Sequence, residues 1–316
     1  MKSKRFTNKN LNKRIRRTFM DFLKWKLFKS KETLKIEPLK DFKYPISNML
    51  LDIEKSSVQW VGHCTFIIKT GNKVILTDPI WSKICSPVSF IGPRRVSMPG
   101  IKIEKVNNID YVLISHNHYD HLDKKTVLKL FKKFPNILWI VPIGLKKWFL
   151  KKKIYNVIEL HWWENFKDDF INCHAVPAQH YSGRGLFDGD KSLWCGYVLE
   201  CLTTKKKVYF AGDTGYNMLH FKMIGKTFKS MDLSLIPIGT YWPREFMGPV
   251  HVNPEEAVKI HTDVNSKKSI GMHFKTFKLS DEHMDLPAYE LFLNLQKENI
   301  DHNEFLILDF GQHVNF

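Results

Sequence analysis

The sequence predicts a layered α/β fold in which two packed β-sheets are covered by helices. Three observations lead there. Short apolar runs bounded by turn residues recur from Val58 onward, only a few helical patterns interrupt them, and several runs end in a histidine or an aspartate. The 316 residues, 43% of them hydrophobic, can bury a sizeable core. Such a length exceeds the usual domain of roughly 100–200 residues, but layered α/β folds often reach it as one unit. The expected organisation is one large domain, residues 56–316, behind a basic extension, residues 1–55.

The extension is rich in Lys and Arg and carries no strand signal. Phe19, Phe22, Leu23 and Leu27 recur at helical spacing, with Trp25 and Phe28 beside them and Lys24, Lys26 and Lys29 interleaved. This is a basic amphipathic helix, whose stripe either docks on the main domain or lies on an anionic membrane surface. Residues 64–69 and 73–77 then flank Gly71-Asn72, a two-residue hairpin signal. Further strands are expected at 111–115, 137–141, 156–160, 170–176, 193–201, 207–211, 233–237, 269–272 and 305–308. A helix is expected at 123–134, with Val127, Leu128, Phe131 and Phe134 on one face and Asp123 as its cap. Asn253-Pro254-Glu255-Glu256 marks a second helix start: Asn caps, Pro takes the first helical position, and an acid follows three residues after the cap.

Composition narrows the partners. A formal charge of +17 attracts phosphate or acidic lipid surfaces, although a general preference for Lys, Ile and Asn accounts for it equally well. The five cysteines are scattered and form no CxxC pair, which fits free thiols in a reducing compartment. No apolar run approaches the roughly 18 residues that span a bilayer, and the basic N-terminus lacks a signal-type apolar core. A cytoplasmic protein with peripheral contact at the inner face of the membrane is expected.

The stretch "ISHNHYDHLD", residues 114–123, places three histidines and two acids just past a buried strand. Burying these groups together without a cation leaves polar atoms hard to satisfy, so the cluster reads as a metal site. His116 and His118 are two apart at a strand exit and point to the same side, where they can share one ion. Asp120 and His121 sit where the loop turns into the helix and can serve a neighbouring ion. Remaining ligands must come from other strand ends: His180 after the strand at 170–176, Asp213 after 207–211, and His273 after 269–272. His251, taken alone, reads as a hydrogen-bonding residue near a helix start. Trp60, Trp81, Trp162, Trp163, Trp194 and Trp242 lie near these segments, either as core or as the lining of an apolar pocket.

On this loop the sequence resembles the metallo-β-lactamase superfamily, whose HxHxDH motif sits on a four-layer αββα sandwich. Within that superfamily it resembles N-acylphosphatidylethanolamine-hydrolysing phospholipase D and its bacterial relatives. The matching segments are "VQWVGHCTFII", "LTDPIWS", "SHNHYDHLD", "VIELHWWE", "AGDTGY", "PIGTYWPREFM" and "HVNPEEAVKIHTD", in the family's order over residues 58–285. The resemblance implies two zinc ions, iron or manganese being alternatives that the same ligands accept. His116, His118 and His180 would hold one, Asp120, His121 and His273 the other, and Asp213 would bridge them. Asp120 would also orient the attacking hydroxide. His251 matches a family histidine near the substrate phosphate and would protonate the leaving alcohol. Val250 stands where the animal enzyme has glutamine, so head-group contacts differ there. The implied reaction converts N-acylphosphatidylethanolamine to N-acylethanolamine and phosphatidic acid, with a phospholipid and an anionic membrane surface as partners. Nucleic acid is not expected; a homodimer is an open option. The alternative is another substrate on the same metals: a nucleic-acid phosphodiester, a lactone or a thioester.

Overall fold

The structure is a computed structural model that describes residues 5–8, 15, 21, 42–45, 52, 55–88, 90–185 and 187–316. Its first six strands are β1 (Ser57–Gly62), β2 (Thr65–Thr70), β3 (Lys73–Thr77), β4 (Tyr111–Leu113), β5 (Leu138–Pro142) and β6 (Val157–Leu160). The next seven are β7 (Asn165–Lys167), β8 (Ile171–Val176), β9 (Gly196–Cys201), β10 (Lys207–Phe210), β11 (Leu233–Pro237), β12 (Ser269–Met272) and β13 (Phe305–Leu306), and β14 (His313–Asn315) returns to the first group. They form two seven-stranded sheets, ordered β14-β1-β2-β3-β4-β5-β6 and β13-β12-β11-β10-β9-β8-β7. Helices α1 (Lys124–Lys133), α2 (Lys146–Leu150), α3 (Met218–Phe228), α4 (Arg244–Met247), α5 (Pro254–Asp263) and α6 (Leu286–Lys297) accompany them.

Strand alternation divides the apolar residues between two cores. Ile75, Tyr111, Leu113 and Ile140 point into the large core between the sheets. Their chain neighbours Leu76, Val112, Trp139 and Val141 point the other way, into a second core with Val127 and Leu130 of α1 and Phe149 of α2. The second sheet is covered by α5, whose Ala257, Val258 and Ile260 join the large core with Leu291 and Leu295 of α6. Four layers result, helices outside and sheets inside.

Several expected strands are shorter than their apolar runs; that at 305–308 pairs only through Phe305 and Leu306, and two others are cut short for identifiable reasons. The run at 111–115 leaves the ladder after Leu113 because Ser115 N–H is taken by the Asp78 carboxylate, at 2.7 Å. The run at 193–201 pairs only from Gly196, since Leu193 and Cys195 donate across to Ile143 and Ser115 in the other sheet's loops. Both expected helix starts form: Asp123 accepts from Lys125 and Thr126 N–H, and Asn253 with Glu256 makes a capping box.

Phe19, Phe22, Leu23, Trp25, Leu27 and Phe28 of the expected amphipathic helix lie outside the described residues. Nearby pieces of the extension pack on the domain. Phe6 and Phe42 border the large core, and Tyr44 is buried against it, its hydroxyl donating to the Phe305 carbonyl. All five cysteines are buried free thiols, and among the described residues no helix is long and apolar enough to cross a membrane.

Candidate metal centre

Strands β4, β8, β10 and β12 end at one edge of the sandwich, and their exits carry the site. β10, β11 and β12 run parallel, while β8 reaches the same direction through two antiparallel steps across β9. After β4 the chain makes one turn, with His121 and Leu122 N–H both donating to the His118 carbonyl. Arg184 holds that turn from outside, its guanidinium donating to the carbonyls of Asn117, His118 and Leu122 at 2.9, 3.3 and 2.7 Å. Gly212, at φ +61°, delivers Asp213 from β10. A Cβ there would sit 2.7 Å from Ser115 Cβ, so only glycine fits the close approach.

Every site residue expected from sequence arrives in one cluster, buried except for the partly exposed His118 and Asp120. His116 Nε2 and His118 Nδ1 are 2.8 Å apart, and His180 Nε2 is 3.3 Å from the same His118 nitrogen. Asp120, His121, Asp213 and His273 make a second group of donor atoms within 4.8 Å of one another. Asp213 stands between the two: its Oδ2 is 3.1 Å from His121 and His273 Nε2, 3.8 Å from His180 and 3.9 Å from His116. His251 faces the same carboxylate, with Nδ1 at 3.9 Å. Its backbone N–H donates to Met247, at the end of α4, rather than serving the start of α5.

The electrostatics separate the histidines into two kinds. Burial, reinforced by neighbouring imidazoles, pushes His116 well below the usual range and His118 down to about 3, while burial takes His180 to about 4 despite Asp213. These are neutral rings with lone pairs to offer. Burial also opposes charge on His121 and His273, but the Asp213 and Asp120 carboxylates outweigh it, holding His121 well above its normal value and His273 at about 9. Both carboxylates are depressed in return, against the burial that would raise them. Several atoms remain unsatisfied. Asp213 Oδ1, His121 Nε2, His251 Nδ1 and both ring nitrogens of His273 are buried without a hydrogen-bond partner. Neutral imidazoles, ionised carboxylates and orphaned donor atoms converging on one point are the chemistry of a divalent-cation site, and the residues present fit one.

Supporting contacts supply what sequence reasoning left unassigned. Asp78 is fully buried and accepts from His121 Nδ1 at 2.6 Å, from Ser115 N–H and from the Ser115 hydroxyl, which also contacts His116 Nδ1 at 2.9 Å. His63 Nε2 contacts Asp120 Oδ2 at 2.9 Å. His180 Nδ1 meets the Val250 carbonyl at 3.0 Å, which fixes the tautomer that leaves Nε2 free. Asn8 clamps the backbone of His180 from both sides. His63 follows β1 and Asp78 follows β3, the same strand-exit placement that pointed to His180, Asp213 and His273, so that signal could have found both. The tryptophans divide: Trp60 and Trp194 are fully buried core, whereas Trp163 is 39% exposed.

Two sheets that present His and Asp at one shared edge make the metallo-β-lactamase fold, and with relatives named as phospholipases D the chain is a hydrolase of that fold whose donor cluster supports a metal cofactor. Residues 73–274 match the Beta-lactamase superfamily domain, and the chain belongs to that superfamily. It is 35% identical to N-acyl-phosphatidylethanolamine-hydrolyzing phospholipase D 1 of Caenorhabditis elegans over 287 residues, covering 86% of this chain and 80% of that one. The mitochondrial N-acyl-phosphatidylethanolamine-hydrolyzing phospholipase D of Saccharomyces cerevisiae is 37% identical over 238 residues, 73% of this chain and 50% of its own length. Among solved structures, the metallo hydrolase Igni18 of Ignicoccus hospitalis aligns with a TM-score of 0.61 at 20% identity, covering 83% of this chain and 98% of that one. An isothiocyanate hydrolase from Delia radicum gut bacteria gives 0.62 at 18% identity, covering 82% and 99%. These two share the fold.

Proposed function

We propose that the chain is a zinc-dependent phosphodiesterase of phospholipase D type that releases N-acylethanolamine and phosphatidic acid from N-acylphosphatidylethanolamine. The observation that carries the reading is the meeting of His116, His118, His180, Asp120, His121, His273 and Asp213 in one cluster, in a chain 35% identical over most of its length to a phospholipase of that name. Residues 56–316 would be the catalytic domain and residues 1–55 its extension, with the protein meeting anionic membrane peripherally.

His116, His118 and His180 would hold one ion, Asp120, His121 and His273 the other, with Asp213 shared. When bound, a pair of divalent cations supplies a hydroxide nucleophile at neutral pH and neutralises charge on phosphoryl oxygen. The chain's own groups do the rest. Asp120, steadied by His63, accepts a hydrogen bond from the attacking water and aligns it with phosphorus. Asp78 and the Val250 carbonyl fix the ring orientations of His121 and His180. The bond from phosphorus to the ethanolamine oxygen breaks, and His251 passes a proton to that oxygen. Burial leaves His251 neutral in the free protein; an anionic phosphate beside it favours the protonated ring that the step requires.

The test is to incubate purified, metal-quantified protein with a phospholipid panel and with RNA, then identify products by mass spectrometry. N-Acylethanolamine and phosphatidic acid from the N-acylated lipid are expected. Turnover of RNA alone, or of lactones or thioesters alone, would reassign the substrate.

A further inference from the structure

Beside the HxHxDH loop, outside the donor cluster, lies a cleft of 980 Å³ whose lining is strongly cationic. Lys83, Lys124, Lys125, Lys129, Lys152 and Arg184 line it, against one carboxylate, Asp123. That carboxylate is already engaged by the N–H groups of Ser82, Lys125 and Thr126 and by the Thr126 hydroxyl. None of the six cations forms an ion pair among the described residues. Lys152 instead sits over the Trp148 ring at 3.5 Å and Arg184 over Tyr119 at 4.0 Å. The crowding is felt: burial, then Lys124, Arg184 and Lys151, lower the Lys152 ammonium to about 8. Excess positive charge held in a walled recess is matched by a multiply charged anion.

The cleft's rim is apolar. Ile84, Ser86 and Pro87 belong both to its lining and to the loop at 83–98. That loop leaves Phe90 69%, Ile91 64%, Val96 62% and Met98 78% exposed. It is pinned at its two ends: Cys85 N–H donates to Pro93, Arg95 N–H to Lys83 and Val96 N–H to Thr276, and the Arg95 guanidinium reaches the Ile80 carbonyl at 2.6 Å. A loop anchored at both ends that holds several large apolar side chains in water, beside a cationic recess, has the two-part chemistry of a lipid interface. Nucleic acid would match the charge, but it gains little from aliphatic Ile91, Val96 and Met98, since bases stack on aromatic rings.

We infer that this face is where the chain docks on membrane: the cleft takes the phosphate groups of anionic phospholipids while Phe90 and Ile91 enter the acyl layer. Docking here would lay the lipid surface beside Tyr119, the chain neighbour of Asp120. The inference draws its purpose from the lipid-hydrolase reading, but it concerns binding and is scored without turnover.

The experiment is cosedimentation of the full, metal-loaded chain with vesicles of phosphatidylcholine alone or mixed with phosphatidylglycerol. Binding to the anionic vesicles only is expected, and inorganic phosphate at matched ionic strength should leave it intact. Lys124→Gln/Lys125→Gln/Lys129→Gln should weaken it on the order of a hundredfold, about fivefold per charge removed. Phe90→Ser/Ile91→Ser should weaken it about tenfold or more with the salt dependence unchanged. These side chains are exposed, so both variants should keep the wild-type circular dichroism. Wild-type binding by both variants would overturn the inference and move the contact elsewhere, residues 1–55 included. Indifference of the wild type to vesicles would also overturn it, as would displacement by free phosphate. Retention on RNA with no effect of the Phe90/Ile91 change would assign the cleft to nucleic acid instead. A chain that binds vesicles but releases no N-acylethanolamine would sink the substrate reading alone.

Discussion

Replacing Asp78 with Asn separates folding from metal binding. The wild-type carboxylate is fully buried and accepts from Ser115 N–H at 2.7 Å, from the Ser115 hydroxyl and from His121 Nδ1 at 2.6 Å. Asn preserves the shape and one acceptor, so the Ser115 N–H bond survives while the new amide turns toward His121. A ring nitrogen facing an N–H donor must present its lone pair, which sends the His121 proton to Nε2. That nitrogen is the one 3.1 Å from Asp213 and 3.3 Å from Asp120, and once protonated it has no lone pair for an ion. Two effects on the metal-free fold oppose each other. Losing a charge-assisted hydrogen bond costs about 1.5–3 kcal/mol, but burial raises the Asp78 pKa, a penalty that the neutral amide escapes. Metal-free stability should therefore change by less than about 2 kcal/mol. Metal affinity should fall about 10–100-fold, or about 1.4–2.7 kcal/mol. Chelator competition gives the second quantity and urea unfolding of the stripped protein the first. Wild-type affinity in a destabilised variant would refute the tautomer argument.

Other consequences are equally direct. His251→Ala should retain its metal by elemental analysis while turnover falls about 10²–10⁴-fold; full activity would remove His251 from proton transfer. Gly212→Ala should destabilise by about 2–4 kcal/mol, since φ is +61° and the new Cβ would press on Ser115 Cβ and the Cys195 carbonyl, 3.0 Å away. An unchanged urea midpoint would show that the approach relaxes. Away from the donor cluster, burial lowers His220 and His261 to about 4. A folded-state pKa below the unfolded value of about 6.5 means stability fully present above that pH and lost as pH falls toward 4. The variant His220→Gln/His261→Gln should therefore lose less stability than wild type between pH 6.5 and 4, as read from thermal melts; parallel curves would contradict the burial argument.

What the sequence makes legible is what rests on local rules. The strand at 233–237 and the hairpin around Gly71-Asn72 form as read, because alternation and turn chemistry act within a few residues. Two-residue spacing puts His116 and His118 side by side for the same reason. Helices α3 and α6 escaped that reading although local signals stand at their starts: Asn217 caps α3, accepting from His220 N–H, and Pro287 lies in the first turn of α6. Short strand β14 exists through pairing with β1 at the far end of the chain, and β7 through a tight hairpin with β8 closed by the Asp168 carboxylate.

What the sequence leaves unread is how the supporting His63 and Asp78, and the ligand His273, are held, and that bears on how the site works. His63, Asp78 and His273 all have positive φ, at 54°, 30° and 64°. Such backbone costs of order 1–3 kcal/mol per residue and persists only when surrounding contacts impose it. Those contacts come from afar: Thr276 Oγ1 accepts from His63 N–H at 2.7 Å, and the His63 carbonyl takes the Trp60 indole N–H and the His273 N–H. His63 and His273 are thus locked to each other, with ring centroids 4.1 Å apart, across more than two hundred residues of chain. At His63 and His273 these turns aim the rings at Asp120 and Asp213, and at Asp78 the carboxylate at His121, so the β-sandwich fixes the donors' directions before an ion arrives. Relaxing either turn would let its ring swing away from the carboxylates, which is why the ligand set follows from local spacing but its support only from the closed fold.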